Sequence, residues 1–353
     1  MFFRTLLIGL SLVFGPFGLN ADETVPDASA AAAAEKAAFE TWLEGVRTEA
    51  IERGISEATV HETLSDVNLV KRVIKRDRNQ PETVQTYAAY LKARVSDWRK
   101  DKGRQMMNEA GDDLALVAAK YGVQARYIAA IWGIETNYGT VPLTYSVFDA
   151  LATLAYDPRR ARRFRSELFA ALEIVDEGFA TTDLMKGSWA GAMGQPQFMP
   201  ASYLQFAQDF DGDGKKDIWQ TRTDIFASIA AYLKHYGWRS DQTWGRPVLL
   251  PEGGEKSVAA VQGDGATPDA VCKRFKSMGA WRDLTDWQAL GVRRLNGGDL
   301  PTRKLDAALI IGDEGDGKGY LVYRNFCSTM KYNPSFKYAL SVGLLSDAIS
   351  RDQ

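Results

Sequence analysis

Apolar side chains recur at intervals of three and four along most of this chain, and that period admits helices and little else. Phe39, Leu43, Val46 and Ala50 form one stripe, which Gly54 ends. Pro81 opens a long helix carrying Tyr87, Tyr90, Leu91, Val95 and Trp98. Asp113 to Tyr121 forms another, with Gly122 placed to cap it. Further helical patterns run from about Gln124 to Asn137, Ser146 to Ala155, Arg159 to Glu177, Ala201 to Gln208, Asp224 to Tyr236 and Tyr338 to Ser350. The texture changes near Trp238, where Arg246–Leu250, Ala307–Ile311 and Gly319–Tyr323 read as short strands bounded by Gly and Pro. The expected fold is mainly α (α+β), with a small α+β insertion near residues 240–325. A length of 353 residues suggests roughly two compact units and needs no metal merely to fold.

Composition removes several function classes. Basic and acidic residues number 43 and 45, so the net charge is −2, against the strong positive excess that captures nucleic acid. The two histidines, His61 and His235, and two cysteines, Cys272 and Cys327, are too few for a His-rich metal centre, a four-cysteine zinc site or an iron–sulfur cluster.

The N-terminus reads as an export signal. Arg4 precedes an apolar run from Thr5 to Val13, and Gly15 and Pro16 lead to Ala21, a small residue suited to cleavage. Residues 1–21 are thus expected to be a signal peptide and 22–35 a linker, its low-complexity part being Asp27 to Ala34. No cysteine lies near the cleavage site and no later run reaches the length of a bilayer span, so a soluble periplasmic protein is expected, not a lipoprotein. Export to an oxidising compartment favours a Cys272–Cys327 disulfide, the alternative being two buried thiols.

Three segments carry candidate chemistry. In Tyr127-Ile-Ala-Ala-Ile-Trp-Gly-Ile-Glu135-Thr-Asn-Tyr-Gly139, a helix puts Glu135 on the face of Ile128, Ile131 and Trp132. Desolvation there raises a carboxyl pKa and suits a general acid, while a buried Glu paired with an arginine fits the same spacing. The segment Gly187-Ser-Trp-Ala-Gly-Ala-Met-Gly-Gln-Pro-Gln-Phe-Met-Pro200 is too rich in small residues for a regular element. It reads either as a packed turn or as a loop that lets a polar ligand approach the backbone. Asp209-Phe-Asp211-Gly-Asp213-Gly214-Lys215 matches the first half of an EF-hand calcium loop, with the Lys215 carbonyl at position seven, but Gln220 stands where the bidentate Glu is usual.

Together these segments resemble the B-type lytic murein transglycosylases, glycoside hydrolase family 103. The carrying residues are Gly133-Ile-Glu135-Thr-Asn-Tyr-Gly139 and Gly191-Ala-Met-Gly-Gln-Pro-Gln-Phe-Met-Pro200. The similarity continues through Asp209–Gly214, Ile218-Trp219, Ala231–Trp238 and Tyr332-Asn-Pro-Ser, in order, from about residue 36 to 350. The resemblance implies a lysozyme-like helical core and cleavage of the β-1,4 bond between N-acetylmuramic acid and N-acetylglucosamine, leaving a 1,6-anhydro ring. It implies Glu135 as the single catalytic acid/base, and Ser188, Gln197, Tyr232, Tyr332, Asn333, Tyr338 and Tyr90 as residues around the sugar. Asp224 becomes the best match for the last ligand of a structural calcium ion, with Asp217 as the alternative, and no cofactor is expected for catalysis. Implied partners are peptidoglycan strands and other cell-wall enzymes. The cluster Arg159-Arg160-Ala-Arg162-Arg163-Phe-Arg165 reads as a solvated helix face, or as a contact for stem-peptide carboxylates.

Overall fold

The fold was analysed in a computed structural model, which describes residues 28–79, 84–251, 253, 270–275, 278, 280–313 and 315–350. The expected signal peptide and Pro81 lie outside the described residues.

The described residues begin with α1 (Ala28–Glu52), α2 (Glu57–Leu64) and α3 (Lys71–Asp77). The segment expected as a linker is helical from Ala28 onward, where the alanine run forms the first part of α1. Alanine loses no side-chain entropy in a helix, so low complexity of this kind favours order. The single helix expected after Pro81 is also two helices, α4 (Tyr87–Arg94) and α5 (Asp97–Glu109). Ser96 separates them: it is extended, and its hydroxyl accepts from the Arg99 amide at 3.3 Å as an N-cap. Next come α6 (Gly111–Tyr121), ended by left-handed Gly122 at φ 70°, and α7 (Ala125–Thr136). They are followed by β1 (Tyr145–Ser146), α8 (Val147–Tyr156), α9 (Ala161–Asp176), β2 (Lys186–Gly187), α10 (Pro200–Phe206) and α11 (Arg222–His235).

The α+β insertion contains β3 (Gly245–Leu249), β4 (Trp281–Asp283), α12 (Leu284–Ala289), β5 (Arg293–Arg294), β6 (Asp306–Ile311) and β7 (Lys318–Val322). Its sheet is antiparallel in the order β4-β6-β7-β3-β5. The expected strands correspond to β3, β6 and β7; β4 and β5, of three and two residues, are too short to show a period. The chain closes with α13 (Arg324–Tyr332) and α14 (Phe336–Ile349). Cys272 and Cys327 form a disulfide with Cα atoms 5.3 Å apart, tying the insertion to α13.

Among the described residues, three apolar cores result. One gathers α6, α7, α11, α13 and α14 around Ile131, Phe226, Trp244, Phe326 and Leu340. A second joins α1, α2 and α8–α10 through Leu43, Leu64, Leu151, Leu168 and Phe198. The third lies under the sheet, around Trp287 and Leu321. Each fully buried Leu or Phe contributes roughly 1.5–3 kcal/mol. Tyr332 packs against both helical cores, so the end of α13 sits at their junction. Among the described residues, no helix is long and apolar enough to cross a membrane.

Candidate active site

Helix α7 is buried on nearly every side from Tyr127 onward, as a central helix must be. Every residue from Tyr127 to Thr136 is buried except Glu135, which is half-buried. The helix stops in three successive left-handed residues, Asn137 (φ 51°), Tyr138 (φ 60°) and Gly139 (φ 78°). Such angles are costly for Asn and Tyr and persist only when the surroundings hold them. Arg99, buried at the start of α5, supplies that hold. Its guanidinium donates to the Gly133 carbonyl at 3.1 Å, to Asn137 Oδ1 at 2.5 Å, to the Ala93 carbonyl at 3.0 Å and to the Arg94 carbonyl. A cation at a helix C-terminus also faces the negative end of the helix dipole. The Tyr138 hydroxyl donates to the Arg99 carbonyl at 2.9 Å, and the phenol end of its ring packs on Gly133, where a Cβ would come within 2.5 Å of it. This close approach explains the glycine two residues before Glu135.

The turn leaves the Glu135 carboxyl facing α14. Tyr338 donates its hydroxyl to Glu135 Oε1 at 2.6 Å. Tyr338 stacks on Tyr332, with centroids 6.4 Å apart and planes within 12°. Burial, and then the charge of Glu135, push both phenols well above the ordinary tyrosine range. Both therefore remain protonated donors. The Tyr332 hydroxyl donates to the Pro196 carbonyl at 2.6 Å, which fixes the segment Gly187–Pro200 beside the carboxyl. Within that segment Gln197, left-handed at φ 55°, donates its amide to the Gly194 carbonyl at 2.9 Å. The Ser188 hydroxyl accepts from the Ala192 amide at 3.3 Å. The Gln197 amide also reaches the Ala192 carbonyl at 3.3 Å, so Ser188 and Gln197 converge on one residue. A continuous chain of contacts thus runs from Glu135 through Tyr338, Tyr332 and Pro196 to Gln197 and Ser188. Asn333, half-buried, follows Tyr332 at the end of α13.

Three of the expected sugar-site aromatics are buried, Tyr338 itself at 2% exposure. Tyr232 is 7% exposed, donates its hydroxyl to the Lys331 carbonyl at 2.6 Å and backs the Tyr332 ring at 4.7 Å. Tyr90 is 1% exposed, behind Tyr338. One partner of Glu135 is a tyrosine, Tyr338. Arg99 and Gln195 escaped the sequence reading altogether, because their partners lie at remote positions of the chain.

In the acidic loop, one carboxylate oxygen from each of Asp209, Asp211 and Asp213 lies within 4.8 Å of the others. Their remaining contacts fold the loop: Asp209 accepts from the Gly212 and Gly214 amides at 2.7 and 2.9 Å, and Asp213 from the Lys215 amide at 2.8 Å. Three convergent hard oxygen donors suit calcium. Asp224 does not join them. It is fully buried in the first turn of α11, where its two oxygens accept from the Phe210 amide at 2.8 Å and the Asp217 amide at 3.0 Å. Its part in this structure is to anchor both ends of the loop.

The arginine-rich start of α9 is only partly a solvated face. Arg159 and Arg160 both pair with buried Asp77 of α3, and Arg165 pairs with Glu49 of α1, while Arg162 and Arg163 are exposed. These pairs fasten the N-terminal helices to α9.

A half-buried carboxyl on a central helix, faced by phenols and a glycine-rich loop, defines a lysozyme-like site. The family comparisons agree with it. A family model described as the transglycosylase SLT domain matches residues 38–347, and the chain belongs to that family. The protein is a lytic transglycosylase. It is 31% identical over 309 residues to membrane-bound lytic murein transglycosylase B of Escherichia coli, covering 84% of this chain and 79% of that protein. Its fold resembles SltB3 of Pseudomonas aeruginosa, solved in complex with NAG-anhNAM-pentapeptide, with a TM-score of 0.79 and 38% identity over 88% of this chain and 79% of that one. Escherichia coli Slt35, solved in complex with calcium, matches with a TM-score of 0.70 and 28% identity over 87% of this chain and 92% of that one.

Proposed function

We propose that this lytic transglycosylase cuts the β-1,4 bond between N-acetylmuramic acid and N-acetylglucosamine in periplasmic peptidoglycan, with Glu135 as its one acid/base. The observation that carries the reading is the Tyr338–Glu135 hydrogen bond of 2.6 Å, which aims one half-buried carboxyl beside the loop of Ser188 and Gln197. Protonated Glu135 gives its proton to the glycosidic oxygen as the bond to the muramoyl anomeric carbon breaks. The carboxylate so formed takes the proton of the muramoyl 6-hydroxyl as that oxygen bonds to the same carbon. The proton out equals the proton back, and water is not consumed. A hydrolase with a separate base or nucleophile needs a second carboxyl across the bond; the intramolecular route needs Glu135 alone. A neighbouring hydroxyl held against the anomeric carbon has a high effective concentration. Ser188, Gln197 and Asn333 supply hydroxyl and amide groups for the sugar rims, and Tyr332 an aromatic surface for a ring face.

The relative solved with NAG-anhNAM-pentapeptide supports this substrate and product. The relative solved with calcium supports a structural calcium ion held by Asp209, Asp211, Asp213 and the Lys215 carbonyl, with Asp224 bracing the loop. The export signal of residues 1–21 supports a periplasmic location.

The test is digestion of purified peptidoglycan with mass analysis. Products lighter by one water than hydrolytic muropeptides are expected. Reducing ends would make the enzyme a lysozyme-type muramidase, and a lack of soluble products would leave a binding scaffold. Glu135→Gln is expected to bind glycan and release nothing.

A further inference from the structure

Gln195 stands in the middle of the glycine-rich segment. It uses all four of its polar groups. Its side-chain Oε1 accepts from Trp132 Nε1 at 2.6 Å, and its Nε2 donates to the Trp219 carbonyl at 2.7 Å. Its backbone amide donates to the Ile218 carbonyl at 2.8 Å, and its carbonyl accepts from the Thr136 hydroxyl at 3.2 Å. Trp132 and Thr136 flank Glu135 on α7, one turn before it and one residue after. Ile218 and Trp219 are the exit from the acidic loop, where Asp217 Oδ1 accepts from the Trp219 and Gln220 amides at 2.8 and 2.9 Å. Pro196, the next residue, receives the Tyr332 hydroxyl. One glutamine therefore joins the last turn of α7, the loop of Gln197 and the end of the acidic loop.

The geometry is close on every side. A Cβ on Gly139 would lie 2.4 Å from Gln195 Oε1, so the turn after Glu135 packs directly on this amide. A polar cavity of about 550 Å³, lined by Asp113, Trp132, Gly139, Gln195, Gln220 and Arg222, opens beside it. Because the amide is bonded at both ends, it cannot flip without breaking two hydrogen bonds. A primary amide offers both a donor and an acceptor at the end of the side chain.

We infer that Gln195 is a positioning residue: it transmits the set of the acidic loop, through Trp219, to the α7 turn that aims Glu135. The inference rests on Glu135 being the acid/base. It predicts that loosening Trp219 and removing the Gln195 amide damage catalysis by the same route. Misplacement of a catalytic group by about 1 Å costs on the order of 100-fold in rate.

The experiment measures kcat and KM on a soluble peptidoglycan oligosaccharide for the wild type, Gln195→Leu, Asp217→Ala, the double variant and Glu135→Gln, with melting curves for each. Gln195→Leu is expected to lower kcat by about 10- to 100-fold with KM little changed. Asp217→Ala should lower kcat less, and the double variant should be no slower than Gln195→Leu, because both changes act through Trp219. Losses in kcat that multiply in the double variant, an unchanged kcat in Gln195→Leu, or a change in KM alone would overturn the inference. Should Gln195→Leu not fold, Gln195→Glu replaces it in the cycle: it keeps the acceptor for Trp132 and loses the donor to Trp219. A Glu135→Gln variant that still turns over removes the catalytic reading itself. An inactive Glu135→Gln beside a fully active Gln195→Leu removes only the role of Gln195.

Discussion

The hydroxyl of Tyr338 meets Oε1 of Glu135 at 2.6 Å, across a sequence separation of 203 residues. Burial keeps this phenol protonated, so it donates to the carboxyl and fixes its rotamer. Tyr338→Phe keeps the ring, its stacking on Tyr332 and its apolar contacts, and removes only the donor. The expected result is a kcat lower by about 10- to 100-fold with KM little changed, since aim is lost and not binding surface. Steady-state kinetics on a soluble peptidoglycan oligosaccharide check it; an unchanged kcat would show that Glu135 needs no such holder.

Glu135 was legible in the sequence because a carboxylate on an otherwise apolar helix breaks the local pattern. The helices of α6 to α11 were legible for the same reason: their apolar period is long and their glycine stops are sharp. Other features were hidden for physical reasons. The alanine run of α1 carries no amphipathic period, so only propensity marks it as helix. Ser96 breaks α4 from α5 through one side-chain cap, which composition does not distinguish from an exposed serine. Gln195 and Arg99 act on partners 63 and 34 residues away, and only the folded chain brings those groups together. Tyr232 and Tyr90 were legible as aromatics near the site, but their burial depends on what packs over them.

Calcium gives a second prediction. Asp209, Asp211 and Asp213 crowd three like charges, which a divalent cation would neutralise. The unfolded loop cannot hold that arrangement, so a bound ion stabilises the native state by mass action, by about 2.7 kcal/mol at a hundredfold excess over Kd. The melting temperature is expected to rise with added calcium and to fall with a chelator. Asp211→Asn with Asp213→Asn should abolish the difference. Equal melting temperatures for the wild type in both buffers would leave the acidic loop a turn without a resident ion.

Glu167 gives a pH prediction. Its side chain lies between α9 and the first turn of α10, where Oε2 accepts from the Ala201 amide at 3.0 Å. Burial raises its pKa above the ordinary carboxylate value, and the Ala201 amide and Arg163 only partly offset this. The native state therefore holds the proton to higher pH than the unfolded chain does. The stability contribution of Glu167 is full below its unfolded pKa and is lost as pH rises through the raised native value. Glu167→Gln keeps an acceptor for Ala201 and has no charge to bury. The variant is expected to gain stability relative to the wild type between about pH 4 and pH 7. Thermal melts of both proteins at the two pH values read this directly, and a difference that shrinks toward neutrality would contradict it.

Arg99 tests whether the end of α7 must be held for catalysis. It is 8% exposed, and its fork serves the Gly133, Ala93 and Arg94 carbonyls together with the Asn137 side chain. Lysine keeps the charge but is a point donor on a flexible stem, and cannot span these acceptors. Some of the buried carbonyls are then left unsatisfied, at about 1–3 kcal/mol. The left-handed turn at Asn137 and Tyr138 loses its clamp at the same time, so the last turn of α7, which carries Glu135, frays. Arg99→Lys is expected to lower stability by that amount in denaturant titration and to lower kcat further than the remaining folded fraction explains. Asn137→Gly removes the same side-chain bond but relaxes the left-handed strain, and should lose less stability than Arg99→Lys. If Arg99→Lys loses stability while each folded molecule keeps the wild-type kcat, the clamp serves folding alone, and Glu135 is aimed from the Tyr338 side.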